Sequence, residues 1–251
     1  MSNPRRMRSV EAVEACISHK EGLLAVSTSR LDRIGALSGI LMVILTFGGF
    51  AILGSAAGSL LDLSSSREEV ARHFADPVPA LFWVGGYLEL IGIVLFIPFA
   101  AYLASVLRDE RSPSWPSWTL FGSALFFVVS GVVSLTVGAT AYFHAGERMH
   151  PDVLLALAHA RSFAFAIGWA LAALFLATAA ALILGGNVVP RWLGWTAAAL
   201  AVALLLGLAA PTADFAQMPP MLMALWVLVL SVSLLRRPAV AASRAAGATA
   251  N

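Results

Sequence analysis

Charge is scarce in this chain, and so are thiols and lysines. Cys16 is the only cysteine, which excludes an intrachain disulfide and a thiolate metal cage. Lys20 is the only lysine among sixteen basic residues, a bias from which a GC-rich bacterial source is expected. Asp, Glu, Lys and Arg together make up 12% of the residues, about half the share usual in soluble domains. The formal charge of +2 is too small, and its arginines too scattered, for a nucleic-acid surface. There is no Walker loop, GxGxxG turn, HExxH or GxSxG, so no recognisable nucleotide, zinc-protease or serine-hydrolase site is present. The expectation is a protein without cofactor or metal; an enzyme stays open, with the balance of the sequence leaning against one. Residues 1–33 carry six basic groups and no apolar centre, so the first apolar run is expected to act as its own insertion signal.

Apolar residues, by contrast, make up 59% of the 251 positions. A water-soluble domain of this size still exposes a quarter or more of its chain surface, and cannot hide so much. Lipid can accept it. Six runs stand out, at 34–61, 80–107, 118–143, 162–184, 192–210 and 218–235; a membrane-crossing helix needs roughly 20 residues, and the first three are long enough to tilt or project beyond the hydrocarbon. They do not alternate polar and apolar, as strands of a membrane barrel would. Ser64-Ser65-Ser66, Pro113-Ser114-Trp115-Pro116, Gly185-Gly186-Asn187 and Pro219-Pro220 supply turn chemistry between them. The expected fold is all-α, a polytopic membrane protein with a six-transmembrane-helix bundle over 31–237. Residues 1–30 read as a poorly ordered tail and 238–251 as a second tail.

Twelve of the sixteen basic residues fall in the two tails and the second and fourth loops, and four fall on the other side. The excess marks the cytoplasmic face, which puts both termini in the cytoplasm and the chain in a bacterial plasma membrane. Trp115, Trp118, Trp192 and Trp195 should mark the inner interface and Trp83 the outer one.

Helices in lipid associate where small residues let backbones approach. Ser130-x3-Ser134-x3-Gly138 in span three, Gly35-x3-Gly39 and Gly54-x3-Gly58 in span one, and Gly85 with Gly92 in span two are the expected contact faces. Ser66-x-x-Glu69 fits a capping box. It predicts a short amphipathic helix on the outer membrane surface, with Val70 and Phe74 on its apolar edge and Asp76-Pro77 at its end.

Glu89 is the candidate for chemistry. It lies nine residues into span two, about 13 Å along the axis, where an ionised carboxylate costs a few kcal/mol unless it faces the bundle and finds a partner. It is either a proton relay or substrate contact, or an interhelical tether bonded to a Ser or Thr of span three. A second cluster, His144, Glu147, Arg148, His150, Asp152, His159 and Arg161, gathers at the outer ends of spans three and four. His144 and His159 could approach at one depth there, while Arg161 at a helix end would snorkel to the interface. Asp214 sits in the fifth loop and could help close an outer vestibule.

The stretch Gly186-Asn-Val-Val-Pro-Arg-Trp-Leu-Gly, the opening Leu31-Asp-Arg-Ile-Gly-Ala-Leu-Ser-Gly and the acidic Glu89 in span two resemble a bacterial integral membrane family known as a domain of unknown function. In that family a G-x-x-x-P-R-W-L-G turn joins two helices. The resemblance implies the six-span fold over about residues 30–237.

Three functions remain open on the sequence. One is permeation of a small solute using the buried glutamate, and one is a regulatory or assembly role through helix contacts. The alternative is a membrane redox enzyme at the outer ends of spans three and four. The expected partners are the lipid bilayer and either another membrane protein or a second copy, with no nucleic acid. The orientation is directly testable in a Cys16→Ser background. A cysteine at His150 should react with an impermeant maleimide from outside intact cells, and reaction only after lysis would overturn the assignment.

Overall fold

The computed structural model describes residues 4–57, 66–108, 113–144, 150–209 and 218–236, with those before Arg30 and Ala57 given by backbone alone. Seven helices are present among them: α1 Pro4–Ala57, α2 Arg67–His73, α3 Ala80–Leu107, α4 Trp115–Phe143, α5 Pro151–Gly185, α6 Arg191–Ala209 and α7 Met218–Leu235. All except α2 contain a stretch long and apolar enough to cross a membrane. Among the described residues there is no strand. The chain is an all-α, multi-pass membrane protein.

The helix ends follow local chemistry. Helix α4 starts at Trp115 with Pro116 in its first turn, where a missing N–H costs nothing. Pro219 and Pro220, expected as a turn, lie within the first turn of α7 for the same reason. Helix α5 differs most from expectation. It begins at Pro151 and not near 162, because His150 caps it, accepting from the Asp152 N–H at 3.3 Å, while Pro151 and Asp152 suit a helix start. Its 35 residues extend about 52 Å, and Arg161 becomes an interior position of the helix.

The six long helices form a closed ring in chain order. Each packs against the spans before and after it, and α1 closes the circle against α7. Ile44, Ile91, Phe126, Ile167, Leu206 and Leu225 point outward, one from each helix and each more than half exposed. Such an apolar perimeter suits lipid, in which helices satisfy their own backbone groups. Trp115, Trp118, Trp192 and Trp195 lie exposed at the end of the ring opposite α2. Inside, Phe96, Phe99 and Phe175 are fully buried. Phe96 meets Phe175 at 5.0 Å and Phe127 at 5.4 Å between ring centroids, and Phe175 meets Trp226 at 6.4 Å. This aromatic layer joins α3, α4, α5 and α7 across the interior. The Trp226 indole N–H donates to the Leu193 carbonyl at 2.9 Å, tying α7 to α6.

The small-residue ridge of α4 lies where the sequence placed it. Ser130 donates to the Ala164 carbonyl and Ser134 to the Arg161 carbonyl, both across to α5. Gly35 and Gly39 receive the side chains of Tyr102 and of Phe99 and Ser231. Gly85 and Gly92 both face α1, at Gly49 and Thr46. Gly54 is a correction: nothing lies within 4 Å of a Cβ built there, so it makes no close helix contact, and Gly58 is outside the described residues. The close approach falls instead at Gly49, one helix turn and a fraction earlier. A Cβ there would lie 2.5 Å from the Glu89 amide nitrogen and 2.6 Å from the Gly85 carbonyl oxygen.

The short helix carries its capping box as expected. The Glu69 N–H donates to Ser66 Oγ at 3.2 Å, and the Ser66 N–H donates to Glu69 Oε2 at 2.7 Å. It ends at His73 with Phe74 as its cap, before Asp76-Pro77. Its apolar edge does not lie on the membrane surface. Val70 and Phe74 are buried with Leu154 of α5, Phe82 of α3 and Tyr142 of α4, so α2 docks on the bundle itself.

Backbone contacts cannot yield as a flexible side chain can. Gly49→Ala should therefore force α1 and α3 apart and cost on the order of 1–3 kcal/mol, read as a lower thermal unfolding midpoint in detergent. Gly54→Ala should leave the midpoint unchanged or raise it. Equal midpoints for both variants and the parent would contradict this packing.

Candidate functional site

The site forms because α5 starts early. Ten residues beyond Pro151, about 15 Å along the helix, Arg161 reaches the flank of α4 at Gly138. A Cβ at Gly138 would stand 2.9 Å from Arg161 Cδ, so the bare backbone is the seat of the arginine stem. One turn further along the same ridge, Tyr142 lines the same small void as Arg161. The Tyr142 hydroxyl is 2.7 Å from His73 Nε2. The Tyr142 ring is held among Phe74 at 4.9 Å and Phe82 at 4.3 Å. The void, of about 10 Å³ and close to the size of one water, lies beside Arg161, Tyr142, Phe74 and Ala158.

Glu89 enters from α3. Phe82 precedes it by seven residues and Phe96 follows it by seven, so all three share one stripe of the helix. Phe82 touches Tyr142 above, and Phe96 touches Phe127 and Phe175 below. Glu89 thus lies between two aromatic layers, with Arg161 acting on it electrostatically. The tether to span three does not describe it. At this depth the α4 hydroxyls are committed elsewhere: Ser130 and Ser134 donate to α5 carbonyls, and Thr136 donates to Val132 O. The charge that acts on it is Arg161 of α5.

Arg161 is therefore an interior position of α5 and not the helix end expected of it, because its helix begins eleven residues before that expectation allowed. His159, two residues earlier, is rotated about 200° around α5. Its Nε2 is buried without a hydrogen-bond partner, as is Trp169 Nε1. His144 caps α4 with its ring against Phe143 at 5.4 Å. Glu147, Arg148 and Asp214 lie outside the described residues. Among the described residues no three His, Cys, Asp or Glu side chains are placed to hold a metal ion. Asp152 pairs with Arg67 of α2 at 3.2 Å, but both are about half exposed, and such pairs contribute little.

Sequence reasoning missed His73 and Tyr142. Both had a signal. His73 shares a face with Val70 at i+3 spacing, and Tyr142 continues the four-residue ridge of Ser130, Ser134 and Gly138. No family model, curated protein or solved structure matches this chain.

Burial, with a smaller effect from Arg161, holds the His73 imidazole below its ordinary 6.5. The folded state thus disfavours the protonated ring relative to the unfolded chain. The neutral ring's contribution to α2 docking is complete above 6.5, and it is lost as the pH falls from there through the lowered value. Amide exchange of α2, corrected for intrinsic rates, should show protection falling between pH 7.5 and 5, and His73→Gln should flatten that profile. A wild-type profile independent of pH would contradict the assignment.

Proposed function

We propose that this protein is a multi-pass permeation protein of a bacterial plasma membrane, with both termini cytoplasmic, in which Glu89 carries a proton and Arg161 is its counter-charge. One observation carries the reading: a carboxylate and a guanidinium from different spans lie within electrostatic reach of each other in an apolar bundle. Ionisable groups in membrane spans are costly and mark proton or substrate pathways. The His73–Tyr142 hydrogen bond supports it by placing polar groups beside Arg161 at the α2 end. Beyond Glu89 the Phe96, Phe127 and Phe175 rings fill the interior. Passage on this reading requires those rings to move, as in carriers that expose a site to one side at a time.

The test is proton uptake into proteoliposomes loaded with pyranine and driven by a potassium diffusion potential. Wild-type protein should acidify the lumen above the protein-free rate. Glu89→Gln should reduce the difference at least tenfold, and Glu89→Asp should retain part of it. Wild-type uptake at the protein-free rate, or Glu89→Gln at the wild-type rate, overturns the reading.

A further inference from the structure

A crevice of about 200 Å³ runs between α3 and α4 on the α2 side of the aromatic layer, and Arg161 forms part of its wall. The two helices touch at its ends and part between them. At the α2 end Phe82 meets Tyr142 at 4.3 Å. At the other, Phe96 meets Phe127 at 5.4 Å, and Ile93 lies 3.3 Å from a Cβ built on Gly131. In the gap, Gly86 faces open space, with nothing within 4 Å of its Cβ position. Leu90 and Leu135 line the gap with it, and Leu53 of α1 contributes to the wall.

The crevice opens sideways. Tyr87 and Thr136 line it and are exposed. The surface around this mouth consists of exposed Val84, Ile91, Val129 and Val133, the kind of surface that meets acyl chains in a membrane. A molecule entering here comes from the bilayer and needs an apolar body. Its polar end must suit Arg161, the one charged residue in a wall whose other polar side chains are Trp83, Tyr87, Tyr142 and Thr136. A guanidinium offers five N–H donors in a planar fork that matches a carboxylate. Tyr142 lines the same wall beside Arg161. The volume is below the roughly 300–1,000 Å³ of drug-sized pockets, which suits one hydrocarbon chain and not two.

We infer that this crevice binds a single-chain amphiphile with a carboxylate head, drawn laterally from the bilayer, its head on Arg161 and its chain along Gly86, Leu90 and Leu135. The inference rests on the same Arg161 site as the proposed permeation, and it names the substrate class. Glu89 does not line the crevice, but it competes for Arg161 through its charge. Neutralising Glu89 therefore strengthens the hold on the carboxylate.

The experiment is binding of tritiated oleate to the purified full chain by scintillation proximity. Saturable binding of about one oleate per chain is expected, with methyl oleate and phosphatidylglycerol at least tenfold weaker as competitors, since a charge-assisted hydrogen bond is worth about that factor or more. Arg161→Gln should weaken binding by about tenfold or more on the same ground. Gly86→Leu should do likewise by filling the crevice, and it serves if the arginine variant does not fold. Glu89→Gln should bind oleate as tightly as wild type or more so. Methyl oleate or phosphatidylglycerol competing as well as oleate overturns the inference, as does unchanged binding in Gly86→Leu. Wild-type protein that binds oleate in this way but takes up no protons supports the crevice and removes the permeation reading. Proton uptake without saturable oleate binding does the reverse.

Discussion

A guanidinium placed among apolar helices must be held by groups from other helices, because lipid offers it none and an unpaired charge there is expensive. Arg161 meets that requirement through groups from two other helices. Gly138 gives its stem room, Tyr142 lies beside it across a small void, and the charge of Glu89 acts on it from α3. Each depends on a separate packing decision. The α4 ridge must lie on α5, α2 must cover Tyr142 through His73 and Phe74, and the Phe82–Glu89–Phe96 stripe of α3 must face inward. The α2 half of the bundle is organised around satisfying one cation.

The opposite half follows a different rule. There the interior is filled by Phe99, Leu103, Leu176, Leu230 and their neighbours, all fully buried. In lipid such contacts do not gain from removing apolar surface from water. They gain from dispersion and close fit. The helices therefore approach most closely where glycine removes a side chain, as at Gly39 against Phe99 and Ser231. On the α2 side α3 and α4 do not close in this way. Gly86 meets nothing, and the resulting gap admits the surroundings of the bundle to Arg161. A tightly packed half and an open one meet at the Phe96, Phe127 and Phe175 layer.

Much of this was legible in the chain. The number and approximate places of the spans follow from length and hydropathy, since a helix must cover the hydrocarbon. Ser66 and Glu69 announce their capping box, and Ser130, Ser134 and Gly138 announce a contact ridge, because both are local spacings that a helix converts into one face. The start of α5 was misjudged because residues 151–161 contain His159 and Arg161 and so read as loop. His150, Pro151 and Asp152 in fact form a good helix start. Placing Arg161 at a helix end removed the second charge that Glu89 needed.

By itself the sequence determined an all-α chain with six apolar spans, a capped short helix and a carboxylate deep in the second span, because each is a matter of composition or of spacing along one helix. Only the tertiary structure decided that Arg161 lies within electrostatic reach of Glu89, that His73 reaches Tyr142, and that α3 and α4 part at Gly86. Those facts depend on the rotation and separation of helices about one another. Between apolar helices in lipid these are set by the fit of side chains distant in sequence, and no single segment encodes that fit.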